Sequence, residues 1–96
     1  MAHGIKRLVL DVLKPHLPTL PELANRLAEI DGVIGVNISL IEVDAETESI
    51  KVTVVGTNLD YELIKHGLEE QGAVIHSVDQ VVAGEVLVEE PPTHQL

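Results

Sequence analysis

The feature that most narrows what this chain can fold into is an order used twice: an alternating aliphatic run, a capped amphipathic segment, then another aliphatic run. Residues 5–13, IKRLVLDVL, put Leu8, Leu10 and Val12 on one side of a strand and Arg7, Val9, Asp11 and Leu13 on the other, so the reading is a strand with one dry and one mixed face. Lys14-Pro15-His16-Leu17-Pro18 ends it, because proline brings no N–H to a ladder and restrains the residue before it. Thr19 and Glu22 then stand at capping-box spacing around Pro21, and Leu20, Leu23, Ala24, Leu27 and Ile30 form an apolar stripe, predicting a helix to about Asp31 with Gly32 at its end.

Two further strands, at residues 33–43 and 49–56, flank the polar DAETE segment and read as an antiparallel hairpin. Leu59, Leu63, Ile64 and Leu68 mark a second helix, capped by Asn58 or Asp60 and stopped by Gly72. Gly67 inside it costs roughly 1 kcal/mol against Ala and points to close packing. Residues 73–89 read as a fourth strand that continues past Gly84, with residues 91–96 a flexible tail on a single domain whose core spans about 4–90. The right-handed crossover rule folds this order into an α+β, ferredoxin-like βαββαβ sandwich. Its expected form is a four-stranded antiparallel sheet of order 4-1-3-2, with both helices on one face and an extended fourth strand.

Composition removes several function classes. A net charge of −10 repels phosphate backbones, and one Tyr with no Phe or Trp leaves no stacking platform, so nucleic acid is not an expected partner. Zero Cys rules out disulfides, thiolate nucleophiles and iron–sulfur ligation. No leader pattern or 18-residue apolar run is present, so the chain is expected to be cytoplasmic with no membrane partner. Ninety-six residues bury only about 60–65% of the unfolded surface, a thin margin that oligomerisation would widen.

The segments LDVLKPH at 10–16, GVNISLIEVD at 35–44 and IHSVDQVVAGE at 75–85, in this order and spacing, resemble the small archaeal proteins of domain-of-unknown-function family 211. The resemblance covers nearly the whole chain. It implies a ferredoxin-like fold and ring-like homo-oligomers, leaves the activity open, and carries over no catalytic residue.

Self-assembly is also the reading of the residues themselves. Apolar residues occur at both parities (Val9 and Leu13 beside Leu8 and Leu10, Ile41 and Val43 beside Ile38 and Leu40, Val55 beside Val54) and need covering on the helix-free face. A bulge near Leu40 and Ile41 is one explanation; packing of subunits through the open sheet face is the favoured one. A fourth strand of up to 17 residues outruns a first strand of about nine, so residues 81–90 are expected to reach a neighbouring copy, the alternative being a β-arm folded back on its own domain.

The acids suggest a cation. Asp11 and Asp79 sit in apolar runs on strands expected to be neighbours, with His76 close in sequence; Glu42, Asp44, Glu46 and Glu48 place four carboxylates in seven residues. Such oxygen ligands favour Ca²⁺ or Mg²⁺ unless the carboxylates form a solvated turn, although the positions of Ser49 and Val55 exclude an EF-hand. The expected metal residues are therefore Asp11, Glu42, Asp44, Glu46, Asp79 and His76. His76, Ser77 and Asp79 fail as a triad, since strand alternation separates His76 from Ser77 and no nucleophile elbow is present. Lys14 and His16 are read as closing the first loop, with anion binding the lesser alternative.

The leading function is thus a non-enzymatic, self-assembling domain. The alternative is a small-molecule sensor resembling ACT regulatory domains, although the stiff KPHLPT turn replaces a glycine-rich ligand loop. Acylphosphatase-like and heavy-metal-chaperone readings fail for want of an arginine-bearing phosphate loop and of CxxC.

Overall fold

The computed structural model describes residues 4–91. Its elements run β1 (Ile5–Pro15), α1 (Leu20–Ala28), β2 (Val33–Val43), β3 (Thr47–Leu59), α2 (Tyr61–Glu70) and β4 (Val74–Ala83). The sheet order is β2-β3-β1-β4 with every pairing antiparallel, which is the expected ferredoxin-like arrangement. The expected tail, residues 91–96, lies outside the described residues beyond Pro91.

Local chemistry sets the helix starts. Thr19 Oγ1 accepts from the Glu22 N–H at 3.3 Å while the Thr19 N–H donates to Glu22 Oε1 at 2.9 Å, forming the capping box. The Thr19 N–H and the Thr19 hydroxyl, which donates to Oε1 at 3.0 Å, hold the Glu22 carboxyl below the usual carboxylate range. Asp60, one of the two expected caps, receives the N–H groups of Glu62 and Leu63 at 3.0 and 3.3 Å. Helix α1 stops at Ala28, three residues before the expected end, with Glu29 as its C-cap.

The core is the dry face of that first strand brought against both helices. Leu8, Leu10 and Val12 of β1, with Ile50, Val52 and Val54 of β3, are buried against Leu23, Leu27, Ile64 and Leu68. Close packing was expected at Gly67, where an added Cβ would stand 2.8 Å from Ile30 Cδ1. The tighter glycine is Gly56, where a Cβ would meet the Gly32 carbonyl oxygen at 2.0 Å, so β3 and the turn before β2 touch backbone to backbone.

Strand and helix lengths are mismatched. A 13-residue strand such as β3 spans about 43 Å, whereas a ten-residue helix such as α2 spans about 15 Å. Two such helices cannot roof the sheet, and the molecule is a slab of 41 × 39 × 18 Å.

Irregularities on the edge strands decide which side chains face where, beginning with a register shift between Val33 and Gly35 on β2. Between Leu40 and Glu42 the β2–β3 register shifts, leaving Ile41 as a bulge residue. On β4 the register against β1 shifts twice, passing over Asp79 between Val78 and Gln80 and over His76 between Ile75 and Ser77. The helix-free face consequently carries two polar rungs, Ser39–Lys51–Asp11–Ser77 and Asn37–Thr53–Val9–Gln80. Of the apolar surplus expected on that face, Val9, Leu13 and Val55 lie there, Ile41 is the bulge residue, and Val43, opposite Glu48, falls on the helix side, where further aliphatics are bare. Leu40 pairs with the core residue Ile50, Val78 with Leu10 and Val81 with Leu8, so these belong to the helix side, yet all three are exposed. They sit on the two outermost strands, beyond the reach of the helices.

The fourth strand also ends earlier than the expected residue 89. Ala83 pairs with Ile5, the first residue of β1, so β4 stops where its partner does. Gly84 then turns the chain with φ +109°, a conformation that disfavours any side chain. The segment after it returns over its own domain.

Candidate functional site

Three places gather polar or charged side chains: a cavity on the β1–β4 side of the sheet, the returning C-terminal arm, and the junction between β1 and the β2–β3 turn.

The cavity has a volume of about 290 Å³ and is lined by Asp11, Val12, Leu13, Ser49 and His76. β1 delivers Asp11 by alternation, and β3 delivers Ser49 opposite Leu13. His76 reaches it from a bulge, where the extra residue is freed from the ladder and can be re-aimed. Sequence alternation left open which of His76 and Asp79 joins Asp11; it is His76. Asp79, the second bulge residue, instead accepts the Ser77 hydroxyl at 2.7 Å, so Ser77 is directed toward an acid and away from any histidine partnership. The triad reading stays excluded on geometry.

Among the described residues, no three His, Asp or Glu side chains converge as a metal group. Of the six expected metal residues, Asp11 and His76 share the cavity, Glu42 lies at the end of β2, Asp44 and Glu46 lie in the adjoining turn, and Asp79 lies on β4. Asp44 donates its N–H to the Thr47 carbonyl at 2.8 Å, which closes that turn. Glu48, the fourth acid of the cluster, is engaged by cations of the chain itself: Lys14 Nζ lies 2.9 Å from Oε1 and His16 Nδ1 2.9 Å from Oε2. The loop-closing role read for Lys14 and His16 is what the hydrogen bonds describe.

The arm is centred on Arg7. Its Nε donates to Gln80 Oε1 at 2.8 Å, and its two terminal nitrogens donate to the Glu89 carboxylate at 3.1 and 2.8 Å, a two-pronged pairing that fixes orientation as well as charge. The guanidinium holds the Glu89 carboxyl below the usual carboxylate range. Gln80 Nε2 donates to Glu90 at 3.3 Å, and Val82, Val88 and Glu89 help line a second cavity of about 370 Å³. Val82 is buried there, apart from the main core cluster. The three aliphatics Val86, Leu87 and Val88 remain exposed on the arm.

Sequence reasoning missed the role of Arg7, which carried no motif; its one signal was a charged residue within an aliphatic strand. No helix among the described residues is long and apolar enough to cross a membrane.

Two comparisons relate the chain to known proteins. The model of domain-of-unknown-function family 211, described as uncharacterized ArCR, matches residues 6–96. Over 93 residues the chain is 47% identical to the uncharacterized protein MJ0319 of the archaeon Methanocaldococcus jannaschii, an alignment covering 97% of this chain and 96% of that protein.

Proposed function

The chain belongs to domain-of-unknown-function family 211, and from that footing we propose that it is a non-enzymatic domain whose copies assemble edge to edge into a closed homo-oligomer. One observation carries the reading. The helix-side aliphatics that the two short helices leave bare are divided between the two outermost strands, Leu40 and Val43 on β2 and Val78 and Val81 on β4, with Ile41 and the arm residues Val86 to Val88 beside them.

Each outermost strand also offers one side without a ladder partner in its own sheet, and an exposed apolar strand edge is a template for another chain. The two edges differ in sequence and lie on opposite sides of the sheet. Joining β4 and residues 84–90 of one copy to β2 of the next is therefore a head-to-tail contact, which closes into a ring when the rotation per subunit permits. An assembly of this kind also supplies the burial that a 96-residue chain lacks.

Ile41→Asp tests the β2 side. Ile41 is 62% exposed and outside the core, so the fold is expected to survive the change. A charge at the centre of an apolar contact is expected to weaken association by about 30-fold or more, the equivalent of a hot-spot loss of about 2 kcal/mol. Sedimentation across a concentration series with circular dichroism as the fold control reads both. Unchanged association would remove β2 from the interface.

A second reading, a divalent cation such as Ca²⁺ or Mg²⁺ at the joint, is favoured by the convergence of Asp11 and His76 on one cavity. Both edges are acidic as well: β2 carries Glu42 one residue before its end at Val43, with Asp44 and Glu46 in the turn beyond, and β4 carries Asp79. Bringing two such edges together at net charge −10 costs Coulomb energy that a bridging cation offsets, and a second copy can supply the missing ligands. Calorimetric titration of Ca²⁺ or Mg²⁺ into the EDTA-treated protein is expected to give a binding heat that Asp11→Asn reduces. No heat and no thermal shift at millimolar ion would contradict the cation.

A further inference from the structure

Lys14 is the buried charged side chain of the described residues, 1% exposed at the end of β1. A buried ammonium is costly unless each of its three N–H groups finds an acceptor. Lys14 finds three: the Pro15 carbonyl at 2.7 Å, the His16 carbonyl at 3.3 Å and Glu48 Oε1 at 2.9 Å. The other oxygen of Glu48 meets His16 Nδ1 at 2.9 Å, and the opposite ring nitrogen, Nε2, meets the Ala45 carbonyl at 3.0 Å.

The chemistry of that ring is constrained by its partners. A carboxylate oxygen and a backbone carbonyl can only accept, and a neutral imidazole has one N–H to give. Both contacts are hydrogen bonds in one protonation state alone, the imidazolium. We propose that His16 is a proton-operated latch that fastens the β2–β3 turn to the loop after β1, closed with both ring nitrogens protonated and released at Ala45 when one proton leaves.

The remaining proton stays on Nδ1, against the carboxylate, because a charge-assisted bond outweighs one to a neutral carbonyl. Nε2 then presents a lone pair to the Ala45 oxygen, and the contact becomes repulsive. The charged groups facing the ring are Glu48 from β3 and Lys14 from β1, with the Ala45 dipole from the turn. Glu48 and then Ala45 raise the affinity of His16 for its proton, against partial burial and the Lys14 charge, so its pKa lies above the ordinary histidine value. The sign follows: a group whose pKa is raised by folding contributes its full stabilisation below the unfolded value and loses it as pH rises through the folded one. The latch is closed on the acid side of the His16 midpoint and opens as pH rises through it.

The latch lies within one chain and stands independently of assembly. Its output is the freedom of the turn that carries Asp44 and Glu46 and adjoins Ile41 and Val43.

Two readings on the ¹⁵N-labelled full chain test it. Long-range ¹H–¹⁵N spectra report the His16 ring nitrogens, and amide exchange at residues 44–47, corrected for the intrinsic pH dependence, reports the turn. The expected result is a His16 midpoint above the ordinary histidine value, both ring nitrogens protonated below it, and a loss of turn protection that coincides with it. Glu48→Gln is expected to lower the midpoint, and His16→Ala to abolish the protection step. A ring that titrates at or below the ordinary value, or a protection step that persists in His16→Ala, overturns the latch. Because His16 is exposed at its side chain, His16→Ala removes no core contact, whereas Glu48→Gln keeps an acceptor oxygen for the buried Lys14 and removes its counter-charge, so circular dichroism accompanies that variant as a fold control.

Discussion

Ending the chain at Gly84 is expected to leave a folded domain that no longer assembles. The residues removed contribute nothing to the main core, whose buried cluster runs from Leu8 to Ala73. The intramolecular losses include the Arg7–Glu89 and Gln80–Glu90 contacts, both at the exposed surface, where ion pairs and hydrogen bonds contribute little to stability, and the cover that the arm gives Val82, which lies outside the main core cluster. The removed arm nevertheless carries Val86, Leu87 and Val88, a large share of the aliphatic surface on the β4 side of the proposed joint. The truncated chain should therefore keep its circular dichroism and sediment as a monomer, whereas the full chain is expected to sediment as an oligomer. An oligomer that survives truncation would confine the joint to β4 and β2 and deny the arm its part.

Leu10→Ala is expected to have the largest effect on the fold itself. Leu10 has no exposed surface and stands between Val52 of β3 and Val78 of β4, beneath both helices. Replacing a buried leucine by alanine costs about 2–5 kcal/mol, transfer and cavity together. A small domain holds only about 5–15 kcal/mol in total, so the variant should lose a large part of its stability. Urea unfolding at matched protein concentration measures it, with the concentration fixed because association adds to apparent stability. A midpoint within error of the parent would mean that the β1–β3 core is not where the fold's stability lies.

The element order was legible because several independent local signals agree. The Thr19–Glu22 cap, the apolar stripes at helical spacing and the strand alternation all point to one topology, and the sheet order follows from the handedness of its crossovers. Register was the part that composition conceals. A bulge inserts one residue with no sequence signature strong enough to locate it in a valine-rich strand, and two bulges flank the segment between His76 and Asp79. That is why His76, read as one of two candidates, is the residue that reaches Asp11's cavity. At Ile41 the bulge considered from the sequence is present, and it accounts for the break in parity there.

The length of β4 was misjudged for a different reason. VLVEE after Gly84 has strand propensity, but propensity forms no strand without a ladder partner, and β1 begins at Ile5 opposite Ala83. The acids around the hairpin looked like one cluster because they are close in sequence. Folding assigns Glu48 to Lys14 and His16 and leaves Glu42, Asp44 and Glu46 without convergence on a third ligand within the described chain. Arg7, the cation that organises the arm, was hidden by the opposite effect, since its partner Glu89 lies far away in sequence; Lys14 was legible as a loop-closing residue, but its distant partner Glu48 was not.

Native mass spectrometry of the intact chain bears most directly on assembly through the two sheet edges. The account predicts one dominant stoichiometry, a whole-number multiple of 10.4 kDa that resists dilution because a closed ring has no free edge. A monomer at every concentration, or an open ladder of increasing sizes, would contradict it.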